Sequence, residues 1–468
     1  MSEPRVSAVA QPGALLSGVK TKSDLLLIGA FALAVNCFRV GRKSIWRDES
    51  ISAEYTMQGI RGVAQRVLSS DPNSVLFYQL LTVWARIFGR SESSLRMMSV
   101  LCVIGAVCTL YLVGVRLFNR QTGVLAALLL ASNVFVVTYG QTARGYALLL
   151  LLTTVSTLLF VVEFETPSRK TRVAYVLAGT LSMYTHMFGA LTLIAHFVAL
   201  LTIDYRRALS RTYLTLIAWM VCLGLPLALA ARHAGTGAIT WISRPTLASI
   251  GAVALSFAGE SPALLIVLGV SAAVATYYAW SRSTRRASVL LIACIVVPIG
   301  ISFAVSQRRP VFIANYLIGA VPALILLSAS SINVLQSRAL QRCAGVAVLA
   351  LTATGLPSYY MSEGAEAWRD AAAFVGQRSR ISDAAVFIPF YVHAPFDYYG
   401  AQQPMSPSHH LRDKSVEPYD RVWLIESPRH VLLFRPALDS LRAELRKTHH
   451  LAETGHWSNV DVEFYVRP

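Results

Sequence analysis

Asp48 and Glu49 stand side by side in Trp46-Arg47-Asp48-Glu49-Ser50, just after an apolar run from Leu25 to Val40. That run is long enough to enter a membrane, so the pair sits at a membrane–water boundary. Low-dielectric surroundings disfavour a carboxylate's charge, which makes ionisable groups at that depth functional candidates by default. One carboxylate beside an alcohol could accept the hydroxyl proton as the oxygen attacks an electrophilic carbon. A quieter role competes on even terms: Asp48 could pair with Arg47 or Arg42 as an interfacial anchor.

Three cationic turns follow. Tyr139-Gly-Gln-Thr-Ala-Arg144-Gly-Tyr146 places Arg144 where a helix re-enters the apolar phase. A guanidinium there could hold a lipid-linked phosphate through two parallel bonds and stabilise it as a leaving group. Taken alone, Arg144 reads more simply as a snorkelling interfacial arginine. Tyr184-Thr-His186-Met-Phe-Gly189 offers an imidazole to a phosphate or sugar, although a lone interfacial histidine more often satisfies a backbone group. Arg308 and Arg309, before Pro310, form the third. Three cationic turns on the face that carries the carboxylates outline a phosphate-binding cavity.

The elements that must position these groups are membrane helices. The 468 residues are 54% hydrophobic and 14% charged, against about a quarter charged in soluble domains. Beyond Leu25–Val40, apolar runs cover 95–118, 121–138, 145–164, 173–185, 187–203, 212–231, 262–280, 287–305, 311–331 and 342–357, about eleven spans in all. The net charge of +17 lies in alternate short loops: Arg116/Arg120, Arg169/Lys170/Arg172, Arg206/Arg207/Arg211, Arg282/Arg285/Arg286 and Arg338/Arg342. The positive-inside rule puts these loops and the N-terminus in the cytoplasm, and the three turns, Asp48 and the C-terminus outside. The basic excess is thus topological and gives nucleic acid no weight as a partner. The six cysteines lie in apolar runs without metal-ligand spacing, so neither a disulfide framework nor a zinc site follows.

Residues 1–23 read as a polar cytoplasmic tail and 24–357 as the transmembrane domain. Its long first outer loop, 41–94, carries amphipathic helices at Glu54–Leu68 and Phe77–Phe88, the second with an apolar face of Leu76, Leu80, Val83, Trp84 and Ile87. Within the loop 232–261, Leu247–Phe257 reads as a re-entrant or interfacial helix. From 358 to 468 the composition becomes that of a small soluble α/β domain, with a helix over Glu366–Gln377 and strands at Ala384–Pro389, Arg421–Glu426 and Val462–Val466.

These motifs, in this order, carry a resemblance. Asp48-Glu49 in a long first outer loop, Leu76-Phe77-Tyr78 opening an interfacial helix, Gln141-Thr-Ala-Arg144-Gly-Tyr146, Tyr184-Thr-His186-Met-Phe-Gly189 and Glu366-Ala-Trp368-Arg369 are similar to those of polyprenyl-phosphate-sugar-dependent glycosyltransferases of the GT-C superfamily. The chain resembles the bacterial branch related to protein O-mannosyltransferases and the lipid A aminoarabinose transferase. The resemblance implies a polytopic α-helical GT-C fold and an inverting transfer from a polyprenyl-phosphate sugar to an acceptor hydroxyl of an envelope glycan, lipid or protein, at the periplasmic face of a bacterial inner membrane. Asp48 would be the base, Glu49 its support or the acceptor's, and Arg144, Tyr146, His186, Arg308, Arg309 and Tyr78 the donor- and substrate-binding set. The segment Asp71–Tyr78 would shape an entrance to the cavity.

The chain departs from the pattern at Asn73-Ser74-Val75, where relatives often read His-Pro-Pro. It also has Thr142 where Glu is frequent, and Asn315 before Tyr316 where Arg is common. No cofactor is required, and a divalent ion at Asp48/Glu49 stays open without positive support. Two other classes compete. A flippase for a lipid-linked sugar predicts charges at mid-membrane, and the absence of internal repeats weighs against it. A catalytically silent envelope-assembly subunit predicts that Asp48 is dispensable.

Overall fold

The computed structural model describes residues 19–70, 72–234, 241–280, 283–400, 410–411 and 416–468. Most of the expected N-terminal tail, Asp71, residues 235–240 of the loop 232–261, and Arg282 lie outside them. The α-helices of six or more residues, in chain order, are α1 (Val19–Cys37), α2 (Arg47–Tyr55), α3 (Gly59–Ser70), α4 (Val75–Phe88), α5 (Glu92–Leu117), α6 (Arg120–Ser132), α7 (Val134–Gly140), α8 (Tyr146–Glu165), α9 (Arg169–Thr185) and α10 (Gly189–Ile203). Then come α11 (Arg211–Ala234), α12 (Leu247–Phe257), α13 (Pro262–Ala279), α14 (Arg285–Ser306), α15 (Val321–Ser330), α16 (Arg338–Ala353), α17 (Leu356–Met361), α18 (Trp368–Gly376), α19 (His393–Tyr399) and α20 (Arg435–Thr448).

Two compact units divide the chain: residues 1–38, 61–80 and 97–359 form one, and 39–60, 81–96 and 360–468 the other. The first is the membrane unit. Among the described residues seven helices are long and apolar enough to cross a bilayer, or eight if the bent pair α6–α7 is one span. This makes the protein a multi-span membrane protein, with fewer full-length spans than the about eleven expected from apolar runs. The difference has local causes. The run 121–138 bends by 61° at Asn133, whose side chain accepts from the Val136 amide and donates to the Phe257 carbonyl, ending one helix and starting the next. The run 187–203 yields only the fifteen residues of α10, about 22 Å of helix.

Close approach inside the unit uses glycine. A Cβ on Gly114 would lie 2.6 Å from Gly123 Cα, so α5 and α6 pack backbone to backbone. α5, α8 and the segment Ala314–Val334 are the most enclosed, whereas α11, α13 and α16 present apolar side chains such as Trp219, Ile266 and Val346 outward.

The second unit is built on a five-stranded sheet of order β2-β1-β3-β5-β4, formed by β1 (Ala384–Ile388), β2 (His410–Leu411), β3 (Arg421–Glu426), β4 (His450–Trp457) and β5 (Val460–Val466). β1 runs parallel to β2 and β3, and β5 antiparallel to β3 and β4. Alternation sends Phe387, Trp423 and Phe464 to one face with Trp368 and Phe396, and Val386, Leu424 and Tyr465 to the other with Leu438 and Leu445. Both faces are therefore covered, and β1 is buried throughout.

The expected helix Glu54–Leu68 is broken: α2 stops at Tyr55, and Gly59 at φ +73° opens α3. A residue with a Cβ would be strained there. The expected Phe77–Phe88 helix is α4. Its Leu80, Val83 and Ile87 are exposed, while Phe77, Tyr78, Leu81 and Ala85 are buried. An outward apolar face is what an interfacial helix needs. Leu247–Phe257 is helical as α12. The helix expected over Glu366–Gln377 starts two residues later, at Trp368: Ala367 is its N-cap, with a non-helical ψ of 54°, and its amide bonds the Ser458 carbonyl.

Candidate active site

Asp48 and Glu49 lie in the first turn of α2, after Trp46 in extended conformation. Successive helix residues point about 100° apart, and the two carboxylates meet different surroundings. Glu49 is 1% exposed and takes a bidentate contact from Arg96, Nε to Oε1 at 2.8 Å and Nη2 to Oε2 at 2.6 Å. Arg96 is also buried, and its remaining donors reach the carbonyls of Val40, Lys43 and Ser44. Asp48 keeps 29% of its side chain exposed and meets the Arg47 guanidinium at 3.6 Å. Arg47 stacks over the Tyr391 ring at 4.3 Å. The pair is thus one buried ion-pair member and one accessible carboxylate.

Lys43 sits in the same segment with its ammonium partly desolvated. Burial, then the Arg96 and Arg42 charges, push its pKa down to about 8. Tyr399 accepts from the Ile45 amide at 2.7 Å and donates to Glu92. Burial, then that bond to a carboxylate, raise its phenol above the usual range.

In the membrane unit the Arg144 and His186 turns come together. Gln141 donates to the carbonyls of Asn36 and Phe38, pinning the first turn to the end of α1. A Cβ on Gly145 would meet Phe77 Cβ and the Thr185 carbonyl at 3.4 Å, so α4 and both turns converge there. Arg144 Nη1 donates to Tyr78 Oη at 2.6 Å, and the guanidinium lies 5.9 Å from the Tyr78 ring and 6.0 Å from that of Tyr146. Tyr146 stacks on Tyr316, which also packs against His186 and Phe188.

His186 is buried, and its Nε2 lies 3.0 Å from Asn73 Nδ2. Asn73 Oδ1 accepts the Met187 amide, and His186 Nδ1 accepts the Phe188 amide at 3.2 Å. Burial, then the Arg144 charge, hold the imidazole down near a pKa of about 3, so it is neutral. Arg308 and Arg309 are exposed in the turn after α14, their amides bonded to Val305. Among the described residues no three His, Cys, Asp or Glu side chains are grouped to hold a metal ion.

Several site residues were not legible as such. Arg96 had a signal: a charge inside the apolar run 95–118 demands a partner. Tyr399, Tyr391 and Glu92 had none that spacing could provide. Asn73 was visible only as part of a departure from the expected motif, and Tyr316 only as the neighbour of one.

The sequence model of the dolichyl-phosphate-mannose-protein mannosyltransferase family matches residues 73–230, the stretch that holds Tyr78, Arg144, Tyr146 and His186. By sequence, no curated protein matches the chain. Among solved structures, apo ArnT from Cupriavidus metallidurans aligns with TM-score 0.58 at 14% identity, over 95% of this chain and 98% of that one. The same protein bound to undecaprenyl phosphate aligns with TM-score 0.58 over 94% and 97%. The oligosaccharyltransferase of Archaeoglobus fulgidus, in complex with zinc and sulfate, aligns with TM-score 0.56 at 12% identity, over 95% of this chain and 73% of that one. The resemblance carried by the motifs is the one these comparisons return, and the chain has the fold of the GT-C glycosyltransferases.

Proposed function

We propose that the protein is an inverting glycosyltransferase that moves a hexosyl or pentosyl group from a polyprenyl-phosphate donor to an acceptor hydroxyl of an envelope glycan, lipid or protein. The observation that carries this is the unequal fate of the two carboxylates. Glu49 is consumed by Arg96, while Asp48, on the same helical turn, stays accessible. Asp48 is the general base. The acceptor oxygen bonds to the anomeric carbon as the carbon–oxygen bond to phosphate breaks, and Asp48 takes the hydroxyl proton. Glu49 supports it indirectly, by anchoring α2 through Arg96.

The leaving polyprenyl phosphate gains a negative charge as it departs, so a fixed cation stabilises the transition state more than the ground state. Arg144, with the Tyr78 and Tyr146 hydroxyls, is suited to that phosphate. Arg308 and Arg309 are further cations for the donor. His186, neutral and bonded to Asn73, serves as a wall of the donor site. The undecaprenyl phosphate bound by ArnT supports the donor class.

For topology, α1, α9 and α10 join the seven full-length spans and the bent pair as crossings, giving about eleven. This supports a bacterial inner-membrane protein with residues 1–23 cytoplasmic, 24–357 in the membrane domain and 358–468 periplasmic, its basic loops inside.

The test is transfer from radiolabelled polyprenyl-phosphate sugars in membranes that carry wild-type protein or Asp48→Asn at equal levels. Wild type is expected to label an acceptor and the variant to lose ~10²- to 10⁴-fold in rate. Equal labelling would make Asp48 an anchor and remove the mechanism.

A further inference from the structure

The segment before Asp48 is neither helix nor strand: turns and extended backbone run from Phe38 to Trp46. Irregular backbone that is taken from water must find partners elsewhere. Here the partners are side chains. Arg96 holds the carbonyls of Val40, Lys43 and Ser44. Arg369 donates Nη2 to the Gly41 carbonyl and Nη1 to the Arg42 carbonyl, each at 3.0 Å, and is itself gripped by Glu92. Its own amide donates to Ser44 Oγ at 3.0 Å.

The last contact is at the helix itself. Trp46, at the N-cap of α2, supplies no side-chain cap. Glu366 does so from a distance: its Oε2 accepts the Arg47 amide at 3.1 Å. The same carboxylate takes Trp368 Nε1 at 2.5 Å and lies 3.0 Å from His430 Nε2. Glu366 is 1% exposed. Burial pushes its carboxyl up, but the bonds from His430 and Trp368 outweigh that and hold it below the ordinary value, so it stays ionised. A full negative charge therefore faces the positive end of the helix whose second residue is Asp48.

We propose that Glu366 and Arg369 are positioning residues for Asp48, Glu366 by capping α2 and Arg369 by fixing the carbonyls of the segment that leads into it. This rests on the assignment of Asp48 as the base. Neither residue touches a reacting atom. Their effect is to hold a carboxylate on a short, nine-residue helix at one place and angle. Loss of that hold lowers the fraction of molecules with the base in reach, not affinity for the sugar donor or acceptor. Gln at 366 still offers an oxygen to the Arg47 amide, whereas Ala does not.

The experiment uses the full-length protein in nanodiscs and reads two quantities. One is transfer kinetics from the polyprenyl-phosphate sugar used for wild type. The other is amide exchange over 45–50, with β3 and β5 as internal controls. Glu366→Ala is expected to lower kcat ~10- to 100-fold while KM for donor and acceptor stays within about twofold. Exchange at 47–50 should speed up while the strands keep their protection, and Glu366→Gln should recover most of both. Wild-type kcat in Glu366→Ala, Gln no better than Ala, or exchange rising equally in the strands would each overturn the proposal. If Glu366→Ala does not accumulate, Arg369→Lys carries the test, because lysine cannot span both carbonyls and exchange at 45–50 must rise with a fall in kcat. If wild type transfers no sugar, the assignment of Asp48 fails. Exchange still decides whether Glu366 caps α2: unchanged protection in Glu366→Ala refutes it.

Discussion

Two places in the molecule each bring two chemically able groups together, and each commits one of them to structure. In the first, Glu49 is buried on Arg96 and Asp48 remains accessible. In the second pair of turns, His186 is buried and bonded to Asn73 while Arg144 is only partly buried beside Tyr78 and Tyr146. The physical reason is the same in both. A polar group at a membrane boundary is held in place only if a neighbour is rigid, and rigidity there comes from burying a satisfied polar group. The lesson is that the buried member of each pair is the scaffold, and the more accessible one is the candidate for chemistry.

The sharpest way to break that contrast is to remove each charge in turn. Asp48→Asn should leave protein levels and thermal stability near wild type and abolish transfer. Glu49→Gln should do the reverse in kind. It leaves Arg96 buried with its main counter-charge gone, which costs about 3–5 kcal/mol when one partner of a buried pair is lost. The expected readout is a large fall in the melting temperature or in accumulated protein, with whatever folds transferring more sugar than Asp48→Asn does. Equal stability of the two variants would sink the division between scaffold and base.

The cationic turns give the next largest effect. Arg144→Lys keeps a charge but cannot form the planar two-bond contact. Transfer should fall ~10- to 100-fold in kcat/KM, because a donor aimed at developing charge is lost. His186→Gln should cost less than tenfold in the same assay, since the imidazole is neutral and its work is to hold Asn73. A His186 variant more damaging than Arg144→Lys would reverse the assignment within this pair.

How much of this could be read from the chain alone varied with the range of the interaction. Locally patterned elements were legible. α4 follows from its apolar spacing, and β1, β3 and β5 from runs rich in branched and aromatic residues. β4 was not, because His450–Trp457 is an exposed edge strand with mixed polar side chains and no alternation to see. The bend at Asn133 hid inside an apolar run, since hydropathy does not register one amide capping a helix. At the site, Asp48 and Arg144 were visible by residue type and by place at the membrane boundary. Which carboxylate would be the scaffold was not. That depends on Arg96, 47 residues away, and on Glu366, 319 residues from the amide it caps. No spacing rule reaches so far.

The pH dependence separates the two regions on a finer scale. His186 has its pKa lowered from 6.5 to about 3 in the folded protein, so the unfolded chain binds the proton first as pH drops. Its contribution to stability is present above about 6.5 and lost as pH falls toward about 3. Wild type should therefore lose melting temperature faster than His186→Gln between these values. Lys43, in the carboxylate segment, is lowered from 10.5 to about 8, so its free-amine form is favoured on folding. Stability gained from Lys43 rises with pH through the window from about 8 to 10.5, the opposite end of the scale. The direct measurement is labelling of Lys43 by an amine-reactive ester at a series of pH values, read by peptide mapping. Half-reaction near pH 8 is expected, and Glu49→Gln should lower it further, because the Arg96 charge then faces Lys43 with less to offset it. A midpoint near 10.5 would mean the segment is solvated, and with it the buried anchor that separates Glu49 from Asp48 would be gone.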